Sequence, residues 1–201
     1  MSNVKTLKSA NDLQPRPTRE QAEEAVGVLL RWVGENPDRE GLRATPGRVV
    51  RAWEEFCAGY GQSADDILST TFEDIEGYND FVLVKNIDFV SHCEHHMVPI
   101  IGRAHVAYWP DEKIVGISKL ARVVDVFAQR LVSQENMTRE IMESIERVLK
   151  PKGTAVMIDA VHHCMSIRGA AKPDSSTVTA LFSGIFEHDD KVQQRFLALA
   201  R

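Results

Sequence analysis

A chain of 201 residues, 43% hydrophobic and 26% charged, is long enough to bury one core and to carry a small helical appendage. Its formal net charge of -5 argues against non-specific nucleic-acid binding, which draws on an excess of Lys and Arg, and no apolar run approaches the roughly 20 residues that cross a bilayer. The start MSNVKTLKSANDLQ has no secretory apolar stretch, and Cys57, Cys93 and Cys164 are too few and too scattered for a disulfide framework, so a cytoplasmic protein using its thiols for metal or redox chemistry is expected.

Residues 1–17 are polar, end on Pro15 and Pro17, and are predicted as a tail. Thr18 with Gln21 forms a capping-box pattern, followed by Ala22, Val26, Leu29, Leu30 and Val33 at helical spacing. A second helix is predicted from Thr45-Pro46, cap then proline, carrying Val49, Trp53, Phe56, Cys57 and Tyr60 toward a core. Arg48 and Arg51 share its polar face, where a solvated role is the commoner one.

Strands follow over Phe81–Val90 and Ile100–Trp109, joined by the connection that holds His92-Cys93-Glu94-His95-His96. Ser118 is positioned to cap a helix bearing Leu120, Val123, Val124, Phe127 and Leu131, and a further helix is expected over Met137–Leu149. Strands over Thr154–Met165 and Thr177–Phe186, then a helix over Asp190–Ala200 with Val192, Phe196 and Leu199, complete the chain. The order is α+β: N-terminal helices, then ββααββ with an antiparallel sheet. The expected division is a tail at 1–17, a helical region at 18–62 and a catalytic domain at 63–201.

Thiolate and imidazole are the ligands zinc prefers, so Cys93-Glu94-His95-His96 and the distant His162-His163-Cys164 are the informative clusters. Cys93 and either His95 or His96 can share one ion from a tight turn, with Cys164 as third ligand and water in the fourth position, an arrangement suited to catalysis. On a strand continuing through Met165, His162 and Cys164 would point to the same side, putting an acid-base imidazole beside the metal. Cys57 reads as a core residue, and His163 as pointing off the site.

These residues resemble the GTP cyclohydrolase I family from about Thr18 to Arg201. The resemblance is carried by Gly-Leu-Arg-Ala-Thr-Pro-Gly-Arg-Val at 41–49, Cys-Glu-His-His at 93–96, Gly-Ile-Ser-Lys-Leu-Ala-Arg at 116–122, Gln-Glu-Asn at 134–136, Ile-Asp-Ala-Val-His-His-Cys-Met at 158–165 and Arg168-Gly169. His163 stands where some relatives carry tyrosine. The resemblance implies the tunnelling fold, Zn2+ held by Cys93, His96 and Cys164, and acid-base roles for His95 and His162. It implies conversion of GTP to dihydroneopterin triphosphate and formate, the first step toward tetrahydrofolate and other pterins, by attack of zinc-bound hydroxide on C8 of the purine. Glu135 with Gln134 is implied for the guanine; Ser118, Lys119 and Arg168 for the triphosphate, joined by Arg48, Arg51 and Arg122 from a neighbouring subunit; and a homodecamer with sites between subunits.

Two alternatives compete. One is another tunnelling-fold enzyme acting on a pterin or deazapurine; the other is a binding module with a closed, four-ligand structural zinc.

Overall fold

The computed structural model describes residues 15–72 and 78–201, so of the expected tail all but Pro15 to Pro17 lies outside the described residues. Packing divides the chain into two compact units, one up to Glu55 and one from Phe56 to Arg201.

In the first unit, α1 (Arg19–Trp32) starts at a complete capping box, Thr18 accepting from the Gln21 amide and Gln21 reaching back to the Thr18 amide. Arg19 bonds Glu23 one turn on and reaches Glu54 of α2 (Thr45–Phe56) at 3.3 Å. The α1 stripe is only partly covered: Ala22, Val26 and Leu30 are half-buried, whereas Leu29 and Val33 face solvent beside Trp32. On α2 no residue is fully buried, and Thr45 lies inside the helix instead of capping it. Phe56, and Tyr60 in the 3-10 turn at Ala58–Gly61, are exposed, contrary to the predicted core roles, while Val49, Trp53 and Cys57 are half-buried.

The second unit continues with α3 (Ala64–Leu68) and the two-residue β1 (Thr71–Phe72), which pairs with β4 (Ile114–Val115). Its centre is a five-stranded sheet ordered β5-β2-β3-β6-β7: β5 (Leu131–Val132), β2 (Val82–Cys93), β3 (Pro99–Trp109), β6 (Gly153–His162) and β7 (Thr177–Phe182). All neighbours are antiparallel except the short β2–β5 pair, which is parallel. Helices α4 (Ile117–Ala128) and α5 (Gln134–Leu149) lie between the two strand pairs in sequence and cover one sheet face, giving the expected ββααββ order.

The core between them holds Leu120, Val123, Val124 and Phe127 of α4 and Met137, Ile141, Ile145 and Leu149 of α5 against Ile100, Ala104, Val106, Val156, Ile158 and Ala160. Each fully buried Leu, Ile, Val or Met side chain among them contributes about 1.5–3 kcal/mol, and each alanine less. Leu131, predicted on the α4 stripe, is instead in β5. The helix α4 starts at Gly116 with no side-chain cap, which places Ser118 inside the first turn and corrects its predicted capping role.

The other face is covered at one end by α7 (Ile185–His188) and α8 (Asp190–Ala200), through Phe186 and Phe196 against Phe81, Ala107 and Ala155. Leu199, expected in that contact, is exposed.

A bulge in β2 decides which way the end of that strand faces. The β2–β3 register shifts between Val84 and Ile87, and Asn86 adopts φ 57°, a left-handed conformation that Asn tolerates better than most residues. Val82 and Val84 before it and Ile87, Phe89 and Cys93 after it all join the core beneath the helices. Without the extra residue, the period-two alternation would turn Cys93 to the opposite face.

Candidate functional site

Cys93 ends β2, is buried at 4% exposure, and opens a tight turn. The Met97 amide donates to the Cys93 carbonyl at 2.8 Å, the Cys93 amide to the Val98 carbonyl at 2.9 Å, and the Glu94 amide to Val132 of β5 at 3.0 Å. Met97, with φ 54°, completes the reversal. Within this turn the Cys93 sulfur lies 3.5 Å from His95 Nδ1 and 3.9 Å from His96 Nδ1.

The third donor arrives differently from the prediction. β6 ends at His162, and Cys164 belongs to the short helix α6 (His163–Ser166), so the two do not share a strand face. The helical turn nevertheless carries the thiol to the cluster: one ligand atom each from Cys93, His96 and Cys164 lies within 4.8 Å of the others. Two sulfurs and one imidazole nitrogen form a donor set suited to a borderline-soft divalent ion, and three protein ligands leave a coordination position open. Burial and then the adjacent Cys93 sulfur push the Cys164 thiol up, with Arg168 opposing. A bound cation would relieve the first two effects.

His95 is nearer than His96 to the Cys93 sulfur but lies outside that three-ligand group; it is exposed, with Nε2 3.8 Å from a Glu94 carboxylate oxygen. His163 bonds Ser166 Oγ at 3.1 Å. His92 is buried against Phe56, with ring centroids 4.5 Å apart.

Three residues missing from the predicted α5, Gln134, Glu135 and Asn136, form its first turn, because Ser133 caps the Asn136 amide. Glu135 is exposed and its charge favours the protonated form of His162, although burial dominates and holds that imidazole below its usual value. Gln134 points the other way, is 2% exposed, and bonds His162 Nε2 through Oε1 at 2.7 Å. Its amide nitrogen is used inside the chain, facing the Ile158 and Thr177 carbonyls and the Thr179 hydroxyl, so the side chain expected beside Glu135 on the guanine is committed elsewhere. The signal was present: Gln134 falls on the stripe Met137, Thr138, Ile141 and Ile145 at helical spacing.

Ser118, Lys119 and Arg122 sit on the first two turns of α4, and no hydrogen bond or ion pair among the described residues joins them to the cysteine–histidine cluster. Arg48 and Arg51 lie on α2 in the first unit, both exposed.

The family model described as GTP cyclohydrolase I matches residues 22–201. The chain belongs to the GTP cyclohydrolase I family. A GTP cyclohydrolase 1 of Brucella anthropi is 56% identical over 189 residues, covering 94% of this chain and 89% of that one. Another, from Brucella suis, is 54% identical over 193 residues, covering 96% and 91%. Among solved structures, an apo QueF-like archaeosine synthase is similar over 53% of this chain and 96% of that chain, at 16% identity and a TM-score of 0.45. As a member of the GTP cyclohydrolase I family the chain is an enzyme, and its ββααββ unit is that family's tunnelling fold. No helix among the described residues is long and apolar enough to cross a membrane.

Proposed function

We propose that this chain is a zinc-dependent, cytoplasmic GTP cyclohydrolase I that converts GTP and water to 7,8-dihydroneopterin 3'-triphosphate and formate, at the head of tetrahydrofolate and pterin synthesis. The observation that carries the reading is the convergence of Cys93, His96 and Cys164 within 4.8 Å in a chain matched by the family model over residues 22–201. Cys93, His96 and Cys164 would hold Zn2+, which when bound supplies Lewis acidity and an activated water nucleophile near neutral pH.

The chain's own residues bind, orient and move protons. Glu135, at the positive end of α5, accepts the adjacent N1 and N2 hydrogens of guanine. His162 and His95 exchange protons with the purine ring, one half-buried and the other exposed on the metal turn. Ser118 and Lys119 at the start of α4, with Arg168 after α6, supply donors and cations for the triphosphate, joined by Arg48, Arg51 and Arg122 of an adjacent copy. Residues 63–201 form the catalytic domain, and the working form is a homodecamer.

The test is incubation of the purified, metal-assayed chain with GTP, following formate and oxidised-pterin fluorescence beside Cys164→Ala. Formate and pterin from the wild type, with metal content and both products lost in the variant, are expected. Bound zinc without formate would move the assignment to a related tunnelling-fold enzyme or a structural zinc module.

A further inference from the structure

We propose that Gln134 is a positioning residue that fixes the tautomer of His162, so that the proton His162 exchanges during the reaction is carried on Nδ1 while Nε2 keeps its hydrogen throughout. The inference deepens the proposed activity and rests on His162 being one of its proton-transfer groups.

The amide orientation of Gln134 follows from its neighbours. Its Nε2 lies 3.2 Å from the Ile158 carbonyl, 2.9 Å from the Thr177 carbonyl and 3.1 Å from Thr179 Oγ1. Carbonyl oxygens only accept, so the side of the amide that faces them must be its NH2 group.

The two threonines agree with this orientation. Thr138 Oγ1 donates to the Gln134 backbone carbonyl at 2.7 Å, which leaves the 2.7 Å contact between Thr138 and Thr179 hydroxyls to be donated by Thr179. The Thr179 oxygen is then free to accept from Gln134. With the amide reversed, Oε1 would face two backbone carbonyls in a place where Gln134 is 2% exposed, and no water could compensate.

Once Oε1 is assigned, the imidazole has no choice. Oε1 carries no hydrogen, so the 2.7 Å bond to His162 Nε2 requires an Nε2–H donor. The neutral ring therefore has its lone pair on Nδ1. A proton taken from substrate or water goes onto Nδ1, giving an imidazolium still bonded to Gln134 through Nε2, and the proton returned leaves from Nδ1. An apolar side chain at 134 would free the ring to place its hydrogen on either nitrogen, and part of the population would present N–H where a lone pair is needed.

The experiment is magic-angle-spinning NMR of the whole chain labelled with 13C,15N-histidine, which tolerates a large assembly, with His162→Asn to assign the signal, combined with steady-state kinetics on GTP. The neutral His162 ring is expected to show a protonated Nε2 and a bare Nδ1 in the wild type and a mixture of tautomers in Gln134→Met. That variant should lose about 10- to 100-fold in kcat with KM for GTP within about threefold and metal content unchanged. A wild-type ring protonated on Nδ1 overturns the proposal whether or not any variant folds. So does a Gln134→Met enzyme with unchanged kcat and raised KM, the result a direct guanine contact would give. A wild type that releases no formate defeats the proposed activity instead, and the NMR assignment is read independently of it.

Discussion

A carboxylate can serve two neighbours at once, and Glu135 is placed to do so. It lies in the first turn of α5, exposed, next to an imidazole whose protonated form its charge favours. On the proposed reading its two oxygens accept the paired N–H groups of guanine, and hydrogen bonds to a charged group contribute about 1.5–3 kcal/mol each. Glu135→Ala should therefore lower kcat/KM for GTP by about 100- to 10,000-fold, with metal content at the wild-type level, because the residue is not one of the three grouped donors. Steady-state kinetics with metal analysis of the same sample checks this. Normal turnover at low GTP would remove Glu135 from the guanine site.

At the level of elements, the bulge at Asn86 sets whether Cys93 faces the helices, so the Cys93–His96–Cys164 cluster depends on a residue further back along the same strand. With φ 57° the position suits Asn or Gly and opposes a β-branched side chain by about 1–2 kcal/mol. Asn86→Val should lower the melting temperature by about 2–8 °C, whereas Asn86→Gly should melt close to wild type and keep its metal. Equal melting of both variants would show that the bulge is not held by this backbone conformation.

The same elements show how far the sequence could be read. The Cys93 to His96 spacing, the capping box at Thr18 and the ββααββ order were legible because each follows from short-range chemistry or from a long periodic run. The bulge was not, since Lys85-Asn86 lies inside an apolar run that reads equally well as uninterrupted alternation. Nor was the change from strand to helix at His163, where neither Gly nor Pro marks the break and a four-residue helix is too short to show a period. The start of α5 was missed because the polar Gln134-Glu135-Asn136 conceals a turn whose first member is buried by bonds to β6 and β7, partners that only the folded sheet supplies.

At the scale of the whole molecule, the apolar surface of a single chain is left incompletely covered in each unit. In the first, Val28, Leu29, Trp32 and Val33 are 50%, 60%, 81% and 65% exposed on consecutive turns of α1 and its cap. In the second, Val90, Ile101 and Val178 are 52%, 47% and 58% exposed on the sheet face opposite α4 and α5. Contiguous apolar surface of this kind is unusual for a monomer and supports the proposed homo-oligomer. Burying a Trp side chain removes 150–250 Å2 from water for this residue type, so Trp32 is a sensitive probe of whether α1 is covered by another copy. If the proposed decamer forms through α1, Trp32→Glu should sediment as smaller species than the wild type. On the proposed reading it should also lose turnover of GTP while keeping its metal, because Cys93, His96 and Cys164 come from one chain whereas Arg48, Arg51 and Arg122 are proposed to serve the neighbour's triphosphate site. Analytical ultracentrifugation at the assay concentration, with metal analysis of each species, makes the measurement. A wild type that sediments as a single chain with full activity would mean that one copy suffices, and the three arginines would have to act within their own chain.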